Sequence, residues 1–440
     1  MRDTTKMDTT RTPRHKEESE KEPTSSVSSC LGSSKPLPPG WRWVKLGEVI
    51  LEAQPGFACG KRDPQGVVQL RMNNVDTWGN LIWDEVLRVP ADPATVERFV
   101  LMPGDVVFNN TNSTELVGKS ALFTGYSEPV VYSNHFTRLR TQPEALFPEF
   151  LAAWLSHQWQ RGVFAAICNR WIGQSAIKTD KLFQLEIPLP PLSEQRRIAG
   201  ILKEQMAAVE RARAAARARL EAVKALPAAF LRQFFPQPAQ PLPPGWRWVK
   251  LGEVADVVNG FGFSEVYQGR RDLPYPFIKV SDMNSPGAEV VINEAANTVD
   301  EAILSALGAR CYPAGTIVFP KVGGALLTNK RRILGREASF DNNIMGVVPR
   351  NADGEFVFFW FSSVDLAAHA NTQALPSIRQ SLVASLEIPL PPLPEQRRIA
   401  GILKEQMAAV ERARAAAEAE LEAIEALPAA LLRRAFSGEI

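Results

Sequence analysis

The sequence has 440 residues, a formal net charge of +2, 45% hydrophobic residues and 22% charged residues. At about 100–200 residues per domain, this length corresponds to two to four folded units. The balanced charge excludes a uniformly basic or uniformly acidic chain, although local basic clusters remain compatible with nucleic acid. No apolar run has the length of a membrane span and the N-terminus lacks an apolar signal core, so we expect a cytoplasmic protein.

Cysteine and histidine are scattered along the chain. There are four of each, and no C-x-x-C pair occurs. Neither a disulfide framework nor a metal site is therefore expected. The N-terminal tail, residues 1–35, is rich in Ser, Thr, Lys and Glu and nearly lacks large apolar residues. Such a composition cannot offset the entropy of ordering, so we predict that this tail is disordered.

Two motifs occur twice. The opening motif PLPPGWRWVKLGEV occupies residues 36–49 and recurs at 241–254. The sequence LEIPLPPL starts at Leu185 and again at Leu386, and EQRRIAGILKEQMAAVERARAAA follows it in both copies. Each copy therefore consists of an opening motif, a variable stretch and a helical tail.

The variable stretches, 50–185 and 255–385, mix short apolar runs with Gly, Pro and Asn turns, which is typical of strands. Each stretch closes with an apolar run typical of a helix, FLAAWLSHQW from Phe150 and FVFFWFSS from Phe356. Although the two stretches share little identity, MPGDVVF from Met102 matches YPAGTIVF from Tyr312. We predict an α+β fold for both.

The tails predict two long helices. After the proline-rich segment, about 34 residues contain a single Gly, which corresponds to a helix of roughly 50 Å. Apolar residues recur every three or four positions up to Leu226 and Leu427. Since a narrow, alanine-rich stripe is not stable alone, we expect the two helices to form an antiparallel coiled coil, related by an internal pseudo-twofold repeat. The expected pairing residues are Ile198, Leu202, Val209, Val223, Ile399, Leu403, Val410 and Ile424.

The two predicted helices differ in charge. Residues 193–226 carry a net charge of +4 and residues 394–427 a net charge of −2, because three basic residues of the first copy are Glu in the second. Opposite charges favour pairing between unlike helices. The alternative explanation of the charge difference is that solvent-exposed helix faces drifted apart in sequence after the duplication.

Catalytic motifs are absent from the sequence. It contains no G-x-x-x-x-G-K-[ST] phosphate loop, no Asp or Asn before a Pro-Pro-aromatic sequence, and no D/E-x-K nuclease element. We therefore expect a protein that is not an enzyme.

The repeated motifs resemble those of the specificity subunits of Type I restriction–modification systems. In that family, L-P-x-G-W-x-W-V-x-L-G-E-V precedes a target-recognition domain, and I-P-L-P-P-L-x-E-Q-x-x-I begins a long helix. Here these motifs occupy residues 37–49 and 187–198, and again 242–254 and 388–399.

The resemblance implies a division of labour among subunits. Each recognition domain would read one half of a bipartite, asymmetric target in double-stranded DNA, and the helices would set the spacing and dock two modification (methyltransferase) subunits. The modification subunits would use S-adenosylmethionine, and separate restriction (motor-nuclease) subunits would use ATP and Mg. No cofactor is expected in this chain. The expected boundaries are 1–35 for the tail, 36–185 and 241–385 for the two domains, and 186–235 and 386–440 for the central and distal helical spacers.

Candidate DNA-binding residues are cations that could contact phosphates, and Arg, Asn and Gln side chains that could read base edges. For each of them a solvated loop or an ordinary turn is the alternative. They are Lys61, Arg62, Arg71, Asn73, Asn74, Asn109, Asn110, Asn112, Lys119, Asn134, Arg170, Gln174, Lys178, Lys279, Lys321, Lys330, Arg331, Arg332, Arg336, Asn342, Asn343 and Arg379.

Two other functions remain open on the sequence. The chain could be the non-catalytic portion of a fused restriction–methylation enzyme whose catalytic part lies elsewhere. It could also be a helical scaffold with degenerate DNA-binding domains, which would show no sequence preference on DNA.

Overall fold

The computed structural model describes residues 37–237, 240–371 and 375–440, so the predicted disordered tail lies outside the described residues. The chain divides into two compact units, one containing the chain up to Ala214 together with Glu422–Ile440, the other Ala215–Leu421. Each unit contains a sheet-based domain with helices packed on it, as the α+β prediction requires.

The first unit contains twelve strands among its described residues. They are β1 (Arg42–Lys45), β2 (Ile50–Pro55), β3 (Val67–Leu70), β4 (Leu87–Val89), β5 (Val106–Asn109), β6 (Thr111–Asn112), β7 (Ser120–Leu122), β8 (Val130–Tyr132), β9 (Phe136–Thr141), β10 (Asn169–Trp171), β11 (Gln174–Ala176) and β12 (Glu186–Leu189). Its helices are α1 (Pro93–Phe99), α2 (Pro148–Gln160), α3 (Val163–Ile167), α4 (Thr179–Phe183) and the start of α5 (Leu192–Phe234).

The second unit follows a similar order. Its strands are β13 (Arg247–Lys250), β14 (Ala255–Asn259), β15 (Tyr275–Ile278), β16 (Val291–Ile292), β17 (Thr298–Val299), β18 (Ile317–Pro320), β19 (Arg332–Leu334), β20 (Ser339–Phe340), β21 (Ile344–Pro349) and β22 (Glu387–Leu390). Its helices are α6 (Leu251–Val254), α7 (Glu301–Leu307), α8 (Gly324–Leu327), α9 (Gly354–Ser363), α10 (Gln380–Ala384) and most of α11 (Leu393–Ser437).

The duplication extends to strand pairing. In the first unit the main sheet has the order β2-β9-β5-β7, and in the second β14-β21-β18-β19-β16. A smaller sheet in each unit contains a parallel pair, β3 with β8 and β15 with β20. The opening strand pairs with the strand before the long helix in both copies, Val44 opposite Ile187 and Val249 opposite Ile388. The repeated opening motif thus contributes one strand of a two-stranded antiparallel ribbon in each copy.

The long helices extend further than the sequence predicted. Helix α5 has 43 residues and α11 has 45, and they continue through Pro227 and Pro428. Proline inside a helix removes one backbone hydrogen bond and costs about 3 kcal/mol. Beyond the first of these prolines, Leu231 and Phe235 are buried in the core of the second unit. Burial of these two side chains offsets the cost and keeps the helix continuous.

The apolar stripe follows the α-helical period rather than a strict heptad. Val209, Ala216 and Leu220 are buried, whereas Leu226 is 36% exposed and Leu427 is 44% exposed. The expectation that those two leucines belong to the buried stripe was wrong. A straight helix drifts by about 20° per heptad, so the buried face passes to neighbouring positions after a few turns.

The contacts within each unit establish that the helices are antiparallel. Ile198 and Leu202, near the start of α5, share the core of the first unit with Leu432 and Ala435, near the end of α11. The core of the second unit contains Leu231, near the end of α5, with Ile399 and Leu403, near the start of α11. Four of the expected pairing residues therefore pack against the domains. Val209 and Val410 are buried further along the helices, and Val223 and Ile424 are half-buried.

Candidate nucleic-acid interface

Each domain has a polar edge where the main-sheet strands end. In the first domain this edge consists of residues 109–112 and 134–135, and in the second of 259, 321 and 342–343. The Asn110 amide donates to the His135 carbonyl at 3.0 Å, and the Lys321 amide donates to the Asn343 carbonyl at 2.9 Å. The same backbone link therefore presents different side chains in the two domains.

Two glycines allow the chain to pass close beneath this edge. A Cβ on Gly56 would lie 2.3 Å from the Ser133 carbonyl oxygen, and one on Gly260 would lie 2.1 Å from the Asp341 carbonyl oxygen. No other residue fits at these two positions, since real side chains do not approach so closely. The same close approach in both domains gives their edges the same backbone frame.

The asparagines of the first polar edge have different roles. Asn109 is fully buried, and its side-chain amide donates to the Thr111 and His135 carbonyls at 3.2 and 2.9 Å. The Asn112 amide donates to Asn109 Oδ1 at 2.7 Å and thus supports the same turn. Asn109 therefore holds the loop and cannot reach a base. Asn110 is half-buried, whereas Asn134 is exposed.

Two further candidates in the first domain are structural. Asn74 is 4% exposed; its Oδ1 accepts from the Arg71 amide, and its Nδ2 donates to the Ile82 and Glu85 carbonyls. Lys119 is 8% exposed and donates to the Met72 and Val75 carbonyls. Burial lowers the pKa of Lys119. The expectation that Asn74 and Lys119 face DNA was wrong, because their polar atoms are already bound inside the domain.

The basic run at residues 330–332 is also built into its domain. Arg331 is 5% exposed, its guanidinium donates to the Asn329 and Val364 carbonyls, and it lies over the Phe361 ring at 5.1 Å. Burial lowers the pKa of Arg331 to about 10. Arg332 is half-buried and donates to the Met283 carbonyl at 3.0 Å. Arg331 is therefore not a phosphate-binding residue, and the prediction of a free cationic run was wrong at this position.

The neighbouring cations of that run differ in accessibility. Lys330 is half-buried and donates to Asn284 Oδ1. Arg336 is exposed and donates to the Pro274 carbonyl at 2.8 Å, so its guanidinium remains open to solvent on its other edges. Of the original cluster, Arg336 is thus exposed, Lys330 and Arg332 are half-buried, and Arg331 is the member that burial removes from phosphate binding.

Several other candidates are accessible. The exposed ones in the first domain are Lys61, Arg62, Asn73, Asn134, Arg170, Gln174 and Lys178, and those in the second are Asn342, Asn343 and Arg379. Half-buried candidates are Arg71, Asn110, Asn112, Lys279 and Lys321. These two sets retain the ability to contact a ligand from solvent.

A polar network in the second domain was missed by the sequence analysis. Lys321 Nζ donates to Asn259 Oδ1 at 2.7 Å, Asn259 Nδ2 donates to Gln380 Oε1 at 2.5 Å, and Gln380 Nε2 donates to the Val257 carbonyl at 2.6 Å. Burial lowers the pKa of Lys321. The three residues of this network lie far apart in sequence. The one sequence feature that points to the network is the position of Asn259 directly before Gly260, the glycine that matches Gly56.

A second omission is a basic pair. Arg270 and Arg271 are exposed and stand in the sequence GRRD, whereas Lys61 and Arg62 are exposed in the sequence GKRD of the first copy. The first pair lies between Gly56 and strand β3, and the second pair lies between Gly260 and strand β15, which are equivalent places in the two copies. Comparing the two copies at this point would have found the second pair.

Metal-binding clusters and membrane-spanning helices are absent from the described residues. Within the described ranges, no group of His, Cys, Asp or Glu side chains is arranged to hold a metal ion. In the same part of the chain, no helix is long and apolar enough to cross a bilayer.

The chain has two domains of one fold, whose polar edges match in backbone and differ in side chains, and a pair of long helices joined to them. These features define a class of two-domain recognition protein. The family model described as Type I restriction modification DNA specificity domain matches residues 94–216 and 243–422. The chain belongs to this family.

Similar proteins agree with this assignment. The type I restriction enzyme MjaX specificity subunit of Methanocaldococcus jannaschii is 25% identical over 328 residues, which covers 70% of this chain and 73% of that protein. The type I restriction enzyme EcoDI specificity subunit of Escherichia coli is 22% identical over 452 aligned residues, covering 93% and 90% of the two chains.

Two solved structures share the fold. A chain from a structural study of complex assembly and conformational transition in the type I R-M system has a TM-score of 0.74 at 24% identity, covering 92% of this chain and all of that one. The HsdS subunit of Thermoanaerobacter tengcongensis has a TM-score of 0.58 at 26% identity, covering 92% of this chain and 99% of that chain.

Proposed function

We propose that this chain is the non-catalytic DNA-recognition subunit of a Type I restriction–modification complex, in which residues 36–185 and 241–385 each read one half of a bipartite, asymmetric duplex target. The observation that carries the proposal is the pair of polar edges. Their backbone frames match, yet Asn110 of one corresponds to Lys321 of the other. Domains that share a frame but present different hydrogen-bonding groups will select different bases.

The duplication supplies a direct test. Because the flanking motifs are identical, residues 255–385 can replace residues 50–185 within the same chain. In the host, methylome sequencing should then find a target whose two halves are inverted copies of one sequence, with the original second half unchanged. A methylated motif that keeps its original first half would contradict the proposal. Loss of all sequence preference without loss of DNA binding would favour the scaffold function.

We extend the proposal to the protein partners. The exposed Leu226 and Leu427 lie in the sequence ALPAA, which is identical in the two long helices. Two identical apolar positions on separate helices support docking of two copies of one partner, for which the modification subunit is the candidate. S-adenosylmethionine would then act in that partner, and ATP and Mg in a separate restriction subunit.

The partner proposal is tested by co-purification. Leu226→Asp should remove one modification subunit from the tagged complex, Leu427→Asp the other, and the double variant both, as measured by native mass spectrometry. Ala214→Asp, an exposed position on the same helix about 18 Å before Leu226 along its axis, is the control for added charge. Full occupancy in the double variant would place the docking surface elsewhere.

A further inference from the structure

A short hairpin extends from the first polar edge. Strands β10 and β11 pair with Trp171 opposite Gln174, and β11 continues the pairing to β6, with Ser175 opposite Asn112. The hairpin closes through Ile172 and Gly173, and Gly173 takes a φ of +78°. The hairpin is thus tied at its base to the residues of the polar edge, while Ile172 at its tip is fully exposed.

The tip is apolar. Ile172 has a relative exposure of 107% and Trp171 one of 60%. Side chains this exposed contribute almost nothing to packing of the folded chain, because the hydrophobic effect scales with the area that is removed from water. Adjacent exposed apolar side chains instead mark a contact surface for another molecule.

The surroundings of the tip are polar and charged. Arg170, Gln174 and Lys178 are exposed along the hairpin and just after it. The Arg170 guanidinium donates to the Ala165 carbonyl at 3.0 Å, and Lys181 Nζ donates to Asn169 Oδ1 at 2.8 Å, so two cations are held at the hairpin base. The carboxylate of Glu115 interacts with Arg170, and that of Asp180 is close by in the chain, so the surroundings are mixed in charge and polar. An apolar tip in a polar surround fits a nucleic-acid groove better than an apolar protein surface.

The geometry of duplex DNA favours one groove. The major groove admits a two-stranded β-ribbon, and an A·T pair presents there both adenine N6 and N7 and the thymine methyl group. A glutamine amide matches the adenine edge, and an aliphatic side chain matches the methyl group. Gln174 and Ile172 offer these two groups within three residues of each other.

We propose that this hairpin enters the major groove at an A·T pair of the first half-site, where Gln174 reads the adenine and Ile172 packs on the thymine methyl group. Trp171 stands on the same strand face as Gln174, because the two are directly opposite in register, and it excludes water from the amide. The inference rests on the proposed function, which it deepens by naming a base pair and the residues that read it.

The second domain has a partial counterpart. Ser377 forms bridges with Asn371 and with Val322, as β11 does with β10 and β6. Between these bridge residues, Leu375 is 62% exposed. An exposed aliphatic residue therefore precedes the corresponding bridge residue, Ser175 or Ser377, by two or three positions in both domains.

The experiment measures DNA affinity of the complex, which is isolated through a tag on the full chain. The DNA duplexes carry, without methylation, the target sequence that methylome sequencing identifies. Each thymine of the first half-site is replaced in turn by deoxyuridine, which lacks only the methyl group. One replacement should weaken wild-type binding by about 4-fold, the factor for one buried methyl-sized group. Ile172→Ser should lower affinity for the normal duplex and show no further loss with that deoxyuridine.

Companion variants complete the test. Gln174→Ala should reduce discrimination at the same base pair by about 10-fold. Leu51→Ser, at a position in the same domain that is 65% exposed, should leave affinity unchanged. Binding to unrelated DNA should be the same for Ile172→Ser and wild type.

Four outcomes would overturn the inference. They are a first half-site without an A·T pair, insensitivity to every deoxyuridine, unchanged specific affinity of Ile172→Ser, and loss of a co-purifying subunit in that variant, which would make the hairpin a protein contact. If wild type retains a sequence preference in these cases, the proposed function stands and the hairpin assignment alone fails. Absence of any preference in wild type would overturn both.

Discussion

Arg219 Nη1 lies 2.6 Å from Glu420 Oε2, and these two residues occupy the same position in the two copies of the repeat. In an antiparallel pair of duplicated helices, equivalent positions meet only where the pseudo-twofold axis crosses the pair. Identical copies would place arginine against arginine there. The change to glutamate converts a repulsion into an ion pair, which favours selection for pairing over drift as the origin of the charge difference.

Reversal of this ion pair should weaken the helix pair modestly. Because the two side chains are 63% and 42% exposed, the interaction contributes about 0.2–1 kcal/mol. We expect Glu420→Arg to lower the thermal midpoint at low salt by a few degrees, and the double variant Arg219→Glu/Glu420→Arg to restore it. Differential scanning fluorimetry at two salt concentrations checks this. Glu405→Arg controls for net charge, and a loss in the double variant equal to that in Glu420→Arg would contradict the pairing.

A buried glutamine anchors the start of each long helix to its domain. Gln195 is fully buried, accepts from the Phe147 amide at 2.8 Å and donates to the Ala145 and Pro190 carbonyls, both at 2.9 Å. Gln195→Ala leaves these buried groups unpaired, so we expect a loss of about 2–3 kcal/mol in the free energy of unfolding. Urea denaturation measures it. Gln233→Ala, exposed on the same helix, should change stability little.

The second copy provides an independent check of this anchor. Gln396 is 2% exposed, accepts from the Asp353 amide at 2.8 Å and donates to the Pro391 carbonyl at 2.8 Å. Gln396→Ala should therefore destabilise the protein as well. If either variant unfolds at the wild-type urea midpoint, these hydrogen bonds do not hold the helix to the domain.

His157 should make the first unit sensitive to acid. Burial, aided by Arg161 and Arg433, lowers the pKa of His157 to about 4, and its ring stacks on Phe436 of α11. The unfolded chain has an ordinary histidine pKa of about 6.5 and takes up a proton first as the pH falls. The stabilisation is thus complete above pH 6.5 and is lost between pH 6.5 and 4, with about 2 kcal/mol lost between pH 7 and 5.

His157→Gln should remove that part of the pH dependence. The free energy of unfolding, measured in urea at pH 7 and pH 5, should differ less in the variant than in wild type. His369→Gln, at an exposed position, should keep the wild-type difference. An equal pH dependence in wild type and His157→Gln would show that other groups titrate.

The matched basic pairs should contribute phosphate contacts. Removing Lys61 and Arg62, or Arg270 and Arg271, should flatten the log–log dependence of DNA affinity on salt by about two, at about 0.9 per contact. Affinity for target and unrelated DNA should fall alike, because phosphate contacts carry no sequence information. Fluorescence anisotropy at several salt concentrations measures the slope.

Arg331→Ala is the matched control for this experiment. The buried guanidinium serves the fold, so its removal should lower the thermal midpoint and leave the salt slope of the surviving folded protein unchanged. A reduced slope in Arg331→Ala, or an unchanged slope in both paired variants, would reverse the assignment of these cations.

The sequence by itself determined the duplication, the two long helices and their antiparallel pairing. Exact repetition of the opening motif and of EQRRIAGILKEQMAAVERARAAA is visible without coordinates, and helical periodicity is a local property of the chain. The α2 and α9 segments, predicted from apolar runs at Phe150 and Phe356, also form as expected. The repeats and the helices are visible in local sequence patterns, whereas the antiparallel pairing follows from the duplication, because two copies of one unit are most simply related by a twofold axis.

Only the tertiary structure decided which polar residues remain free to bind. Asn109 and Asn110 are adjacent, yet the first is fully buried and the second half-buried. Arg331 is buried because Phe361 and the Val364 carbonyl, about thirty residues away, close over it. Strand pairing and packing bring together residues that are distant in sequence, so the burial of a polar side chain depends on contacts that no local pattern encodes.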